Sequence, residues 1–214
     1  MPLMDSETAG KVKETLATMK DPVHILVYVD GADCQYCGDT IEIINELVSL
    51  TDRLTFEKRW AGENEYGVDK YPAILIMKGA PREFSRTGIR FFGIPAGYEF
   101  TSLLDAIVTT SKGDELLSTE TKEELKRLDK DVHIQVFVTP TCPYCPRSVV
   151  LAHHMALVSK RITADMVEAS EFQDLAMKYQ VMGVPKTVIN GEFTQEGAAP
   201  EKMIMDLIRK AVAV

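Results

Sequence analysis

The chain has 214 residues, 45% of them apolar and 26% charged, enough for one large domain or two of ordinary size and too apolar for wholesale disorder. Its 24 basic and 32 acidic residues leave a net charge of -8. That balance speaks against a nucleic-acid or anionic-membrane binder, since both need a basic face.

Along the chain, Glu14, Leu16 and Met19 fall on a predicted amphipathic helix. Val23-His24-Ile25-Leu26-Val27-Tyr28-Val29 follows, β-branched and apolar enough for a buried strand. The pair Cys34-Gln35-Tyr36-Cys37 then opens a helical stretch from Gly38 to Leu50. A strand is predicted from Leu54 to Arg59, then a short helix, then a proline and an apolar strand in Tyr71-Pro72-Ala73-Ile74-Leu75-Ile76. Gly93 precedes a closing helix over Phe100 to Val108, and the polar stretch Thr109 to Asp114 reads as a linker.

The same order then returns. Glu123, Leu125 and Leu128 match the first helix, and Val132-His133-Ile134-Gln135-Val136-Phe137-Val138 matches the first strand at an offset of 109 residues. Cys142-Pro143-Tyr144-Cys145 follows at an offset of 108, with a helix over Pro146 to Lys160 and a strand near Thr163 to Glu168. A short helix over Glu171 to Tyr179 leads to Val184-Pro185-Lys186-Thr187-Val188-Ile189. Asn190-Gly191 is a strong hairpin-turn signal, and Gly197 precedes a last helix over Pro200 to Val212. A repeat this long means two duplicated domains, placed at 1–113 and 114–214, each reading α-β-α-β-α-β-β-α. The fold class is α/β.

All four cysteines stand in the two C-x-x-C pairs, which points to thiol chemistry or metal binding. Zinc ribbons also use two such pairs, but usually ~15–20 residues apart; here the pairs lie more than a hundred positions apart. Each pair follows a buried strand and opens a helix. A sulfur there lies over free backbone N–H groups at the positive helix end, where a thiolate is favoured. The second sulfur, about one turn on, is close enough to attack a mixed disulfide formed at the first. Cys34 and Cys142 are therefore the candidate nucleophiles, and Cys37 and Cys145 the resolving thiols.

With these motifs the sequence resembles the thioredoxin and glutaredoxin superfamily. Cys142-Pro143-Tyr144-Cys145 is similar to the glutaredoxin-type motif, and Tyr71-Pro72 and Val184-Pro185 to the superfamily's cis-proline site. The tandem arrangement resembles the protein disulfide oxidoreductases of hyperthermophilic archaea and bacteria, relatives of protein disulfide isomerase. The resemblance implies two tandem thioredoxin-like domains, each a central mixed sheet flanked by helices. It also implies thiol–disulfide exchange on protein substrates. Pro72 and Pro185 would stand beside the attacked sulfurs, and Tyr71 and Val184 would contact an extended substrate strand.

There are departures from the pattern. Thioredoxin carries a buried acid six residues before its first cysteine, where this chain has Tyr28 and Val136. Glu57 and Glu168, on the second strands, are possible substitutes. Asp33 directly precedes Cys34 and disfavours a thiolate, whereas Cys142 follows Thr141 and has Arg147 close behind. Cys142 is therefore expected to be the more acidic thiol and the second pair the stronger oxidant.

Plainer readings hold elsewhere. His24 and His133 suit strand packing or solvent contact, and His153 and His154 a solvated or edge position. Met203, Met205 and Leu207 read as core of the last helix, and Phe91, Phe92 and Tyr98 as core or domain interface. Tyr36 and Tyr144 are candidates for exposed aromatic contacts.

The expected function is protein dithiol–disulfide oxidoreductase, acting by oxidation, reduction or isomerisation of protein disulfides. The alternative is a dedicated electron relay between a thioredoxin-reductase-like flavoprotein and a peroxidase or other client. A polypeptide-binding chaperone module fits poorly with two retained thiol pairs. No phosphate loop, Ser–His–Asp order or dinucleotide fingerprint is visible, so no cofactor and no metal is expected on this chain. Flavin and nicotinamide would belong to a partner reductase. The longest apolar runs, such as Ala73 to Met77, fall far short of the ~20 residues of a membrane-spanning helix, and Met1 to Met19 does not read as a signal peptide. A cytoplasmic protein is expected.

Overall fold

A computed structural model describes residues 3–31, 34–63 and 65–213. The first half runs α1 (Ser6–Leu16), β1 (Val23–Val29), α2 (Cys37–Ser49), β2 (Leu54–Trp60), β3 (Ala73–Ala80), β4 (Glu83–Phe92) and α3 (Glu99–Lys112). The second runs α4 (Thr119–Lys126), β5 (Val132–Val138), α5 (Cys145–Val158), β6 (Ile162–Glu168), α6 (Gln173–Lys178), β7 (Lys186–Ile189), β8 (Phe193–Glu196) and α7 (Glu201–Ala213). The leading helices of both halves start on a side-chain cap. Asp5 Oδ1 accepts the Thr8 N–H at 2.7 Å, and Ser118 Oγ accepts the Thr121 N–H at 3.2 Å.

The strands form one mixed eight-stranded sheet in the order β2-β1-β3-β4-β6-β5-β7-β8. Within each half the strand that precedes the cysteine pair is interior. β1 lies parallel to β2 and antiparallel to β3, and β5 repeats this with β6 and β7. The halves join through a parallel pairing of β4 with β6, from Ile89 opposite Ala164 to Phe92 opposite Val167.

Interior strands covered on both faces need apolar residues at successive positions, which is why β1 and β5 read as near-continuous apolar runs. Their side chains alternate between two cores. Ile25, Val27, Ile134 and Val136 enter a core shared with α1, α2, α3, α5 and α7, while Leu26, Tyr28 and Phe137 enter a second core on the other face. The hairpin turn joining β7 to β8 falls at Asn190-Gly191 as expected.

Several expectations are corrected. No helix fills 61–72 among the described residues of the first half; the chain there makes turns, and Gly62 and Gly67 sit at φ of 95° and 66°, outside helical space. Tyr66, Val68 and Tyr71 cover the second core in its place. Thr109 to Lys112 are not a linker but the last turn of α3, with Thr110 and Ser111 buried. Ser111 Oγ holds the chain before β1, accepting from the Lys20 N–H at 2.9 Å and donating to the Asp21 carbonyl at 2.6 Å. His153 and His154 are buried, not solvated, and Met203 is exposed rather than core, although Met205 is fully buried.

Candidate functional site

Each cysteine pair sits where an interior strand hands over to a helix. Cys37 is the first residue of α2 and Cys145 the first of α5, with Tyr36 and Tyr144 as the preceding cap residues. Neither tyrosine side chain caps its helix, so the positive helix end is left to favour a negative sulfur. Pro146 is tolerated because the opening turn has no intrahelical use for its N–H.

The helical turn brings the paired Cα atoms to 5.4 Å for Cys34 and Cys37 and to 5.5 Å for Cys142 and Cys145, and both pairs are closed as disulfides. Each sulfur thus bonds within its own motif. Cys37, Cys142 and Cys145 are buried and Cys34 is half-buried. The surroundings differ in charge: the first turn of α2 carries Asp39, while that of α5 has no acid and includes Arg147. Asp33, invoked on the sequence, lies outside the described residues.

The two prolines fall beside the pairs. Tyr71–Pro72 and Val184–Pro185 are both cis and lead into β3 and β7. Cys142 Sγ lies 3.8 Å from the Val184 carbonyl oxygen, and Tyr71 shares a cleft with Gln35 and Tyr36 of the first motif. The proline carbonyls serve equivalent purposes, accepting from Gly93 N–H at 2.9 Å and Gly197 N–H at 2.8 Å. Tyr144 is 71% exposed, whereas Tyr36 is half-buried in the cleft.

The acids divide. Glu57 is half-exposed and turned to Arg59 at 3.2 Å and toward His24 at 3.9 Å, so its carboxylate is committed away from a thiol. Glu168 is buried at the end of β6 and lines the cleft with Tyr36 and Tyr71. Two further acids carry no sequence signal of burial. Glu99 opens α3, an ordinary place for an exposed acid, yet burial pushes its carboxyl up to about 7 against the pull of the Ser102 hydroxyl at 2.6 Å. Glu171 is likewise pushed up to about 7, chiefly by burial, although the Ile94 N–H donates to its Oε1 at 2.7 Å.

Among the described residues no helix is long and apolar enough to cross a membrane.

Comparison with known proteins agrees with this geometry. Residues 132–209 match the thioredoxin domain family model. The chain is similar to the crystal structure of a protein disulfide oxidoreductase from Aeropyrum pernix, with 31% identity, a TM-score of 0.89, and coverage of 98% of this chain and 94% of that one. It is also similar to the N-terminal domain of an alkyl hydroperoxide reductase from Enterococcus faecalis, with 25% identity, a TM-score of 0.86, and coverage of 95% and 98%. An alkyl hydroperoxide reductase polypeptide of Escherichia coli is 28% identical over 90% of this chain and 35% of its own length. The chain spans little more than a third of the length of the curated relatives it matches.

Proposed function

Since the chain belongs to the protein disulfide oxidoreductase family, we propose that it exchanges electrons with protein thiols and disulfides at two separate centres, Cys34/Cys37 and Cys142/Cys145. The observation that carries the reading is the repeated geometry: a C-x-x-C closed as a disulfide at a strand-to-helix junction, beside a proline segment, in both halves. The division between the two thioredoxin-like domains is placed at Gly113, after α3.

In the reducing direction, the thiolate of Cys34 or Cys142 attacks one sulfur of a client disulfide. A mixed disulfide forms and one client thiolate leaves. Cys37 or Cys145, deprotonated, then attacks the protein sulfur of that mixed disulfide, closing the C-x-x-C bond and releasing the second client thiolate. Two electrons have passed from the pair to the client, and the two protons lost by the pair balance those the client thiolates take up. Oxidation of a client dithiol is the same sequence reversed. Within each pair the second cysteine is the more buried, Cys37 against half-buried Cys34 and Cys145 at 0% against Cys142 at 8% exposed, which suits a resolving thiol. Tyr71 with Pro72 and Val184 with Pro185 provide the client contacts, because Tyr71 lines the cleft beside the first motif and the Val184 carbonyl lies against Cys142 Sγ.

A second reading is favoured by the likeness to alkyl hydroperoxide reductases: a relay that takes electrons from a thioredoxin-reductase-like flavoprotein and passes them to a peroxidase. Both readings suit a cytoplasmic protein and leave the flavin with a partner.

Full-length variants with one pair changed to serine test the proposal against a disulfide-bonded reporter protein. Each single-pair protein is expected to retain reporter turnover, and the four-serine protein none. Turnover by the four-serine protein would overturn the proposal. Activity confined to one peroxidase client would select the relay.

A further inference from the structure

The two redox sites differ in what surrounds them. Around the second, Tyr144 is 71% exposed and Met182, two residues before Val184, is 90% exposed, leaving an open apolar rim. At the first, Gln35, Tyr36 and Tyr71 border a cleft of about 490 Å³ whose remaining wall comes largely from the other half, through Glu168, Ser170 and Glu171. Both carboxyls line the same cleft as Tyr36 and Tyr71, so a client seated there shares a partly water-excluded space in which their charge is felt more strongly than in bulk water.

These acids are not a solvated surface cluster. Glu168 is only 3% exposed, and its Oε1 has no hydrogen-bond partner among the described residues. Its Oε2 accepts the Glu171 N–H at 2.7 Å. Glu171 Oε1 in turn accepts the Ile94 N–H at 2.7 Å, tying the second half to the loop that follows β4. The loop from Ile94 to Ala96 brings no charge of its own. Along the adjoining cleft the charged groups facing Glu171 are Asp69, Lys70, Asp174 and Lys178, and Lys70 is taken up by Asp69.

We infer that Glu171, backed by Glu168, is a charge gate on the first site that favours attack by Cys34 on cationic disulfide-bearing segments and disfavours anionic ones. Glu171 is a specificity-determining residue in this role and takes no part in the bond changes. Burial and the neighbouring Glu168 push its carboxyl up to about 7, so the gate strengthens as pH rises through neutrality. The inference rests on the reading of Cys34 as the attacking thiol.

The test uses the full chain carrying Cys142→Ser and Cys145→Ser, reduced so that only the first pair reacts. It is mixed with cystamine, a dication, or with dithiobis(nitrobenzoate), a dianion. With either probe the Cys34 thiolate breaks the probe's S–S bond, forming a mixed disulfide and releasing one thiolate. Cys37 then releases the second, so two electrons reach the probe. The ratio of the two rates cancels the thiolate fraction at Cys34, and ordinary carboxylates, ionised throughout, add only a constant to it. Between about pH 6 and about pH 8 the ratio of cystamine to dithiobis(nitrobenzoate) rates is expected to rise roughly threefold to tenfold. Glu171→Gln keeps an acceptor for the Ile94 N–H and should flatten the rise, while Glu171→Asp should retain it. Glu168→Gln, folding independently of the first variant, should weaken it. An unchanged rise in Glu171→Gln, with both probes still consumed, overturns the gate and leaves the role of Cys34 intact. Failure of the unmodified first pair to react with either probe overturns both.

Discussion

Arg90 grips Asp165 with two parallel hydrogen bonds across the seam between β4 and β6, Nε to Oδ1 at 2.7 Å and Nη2 to Oδ2 at 2.9 Å. Asp165 is fully buried, and His133 Nε2 lies 2.6 Å from the same carboxylate. Burial alone would raise this carboxyl, but the His133 hydrogen bond and the Arg90 charge hold it below the usual aspartate range. Removing one partner strands a buried charge, so Arg90→Ala is expected to cost about 3–5 kcal/mol, while Arg90→Met combined with Asp165→Leu stays much nearer the parent protein. Urea unfolding of the oxidised chain measures both. A cost below about 1 kcal/mol for Arg90→Ala would show that the seam does not depend on the pair.

The second motif is held from the first half at Gly97. This residue sits at φ of 60°, and a Cβ on it would run into the Pro140 carbonyl oxygen, which also accepts the Tyr98 N–H at 3.0 Å. Pro140 stands two residues before Cys142. Gly97→Ala must therefore either strain its own backbone or push the Pro140 loop away, at an expected cost of about 1–3 kcal/mol. Reporter turnover through Cys142/Cys145 should fall more than turnover through Cys34/Cys37. Equal losses at both pairs would point to general destabilisation instead.

Much of this arrangement is legible in the sequence for a physical reason: the strand runs, the C-x-x-C spacing and the Tyr71-Pro72 and Val184-Pro185 steps are local patterns. What is not legible depends on the joining of the halves. Arg90 and Asp165 read as ordinary strand charges until β4 is laid beside β6. Helix α5 beside a lone half-sheet would keep a wet face, the natural place for His153 and His154. In the joined sheet α5 also packs on β4 and α3. His153 meets Phe91 edge-on with ring centroids 4.8 Å apart, and His154 Nε2 reaches Asp105 at 2.8 Å. Glu171 is hidden for the same reason, since the Ile94 N–H it meets comes from the other half.

Burial of His153 and of Glu99 gives opposite dependences of stability on pH. The His153 imidazole is pushed down from 6.5 to about 4, so the unfolded chain takes up a proton that the folded one refuses. Stability from this group is lost as pH falls through that window, by about 3 kcal/mol in all. Glu99 is pushed up from 4.5 to about 7, so the folded chain keeps a proton that the unfolded one releases. Its contribution is present below about 4.5 and lost as pH rises through about 7, again on the order of 3 kcal/mol. Glu171, raised to the same value, adds a second falling slope, so the parent protein loses stability as pH rises across this range. Glu99→Gln combined with Glu171→Gln should leave stability rising with pH between about 4 and 6.5, and His153→Leu should leave it falling more steeply between about 4.5 and 7. Unfolding midpoints across this range that keep the same slope in both variants would refute the assignment.

The charge difference between the helix starts sets the last prediction. Both helices offer uncapped N–H groups to the attacking sulfur, but α2 places Asp39 in its first turn while α5 has no acid there and carries Arg147. A thiolate is therefore better supported at Cys142, whose thiol should titrate roughly one unit or more below that of Cys34. Stabilising the thiolate stabilises the reduced form, so Cys142/Cys145 should be the more oxidising pair, by about 30 mV or more. Alkylation rates against pH in single-pair variants give the thiol values, and redox-buffer titration of the same proteins gives the potentials. A lower value at Cys34 would overturn the argument from helix-start charge. Two potentials alike, near thioredoxin's about −270 mV, would make the chain a general reductant; separated potentials would let the second pair oxidise clients while the first, inside its acidic cleft, handles a narrower set.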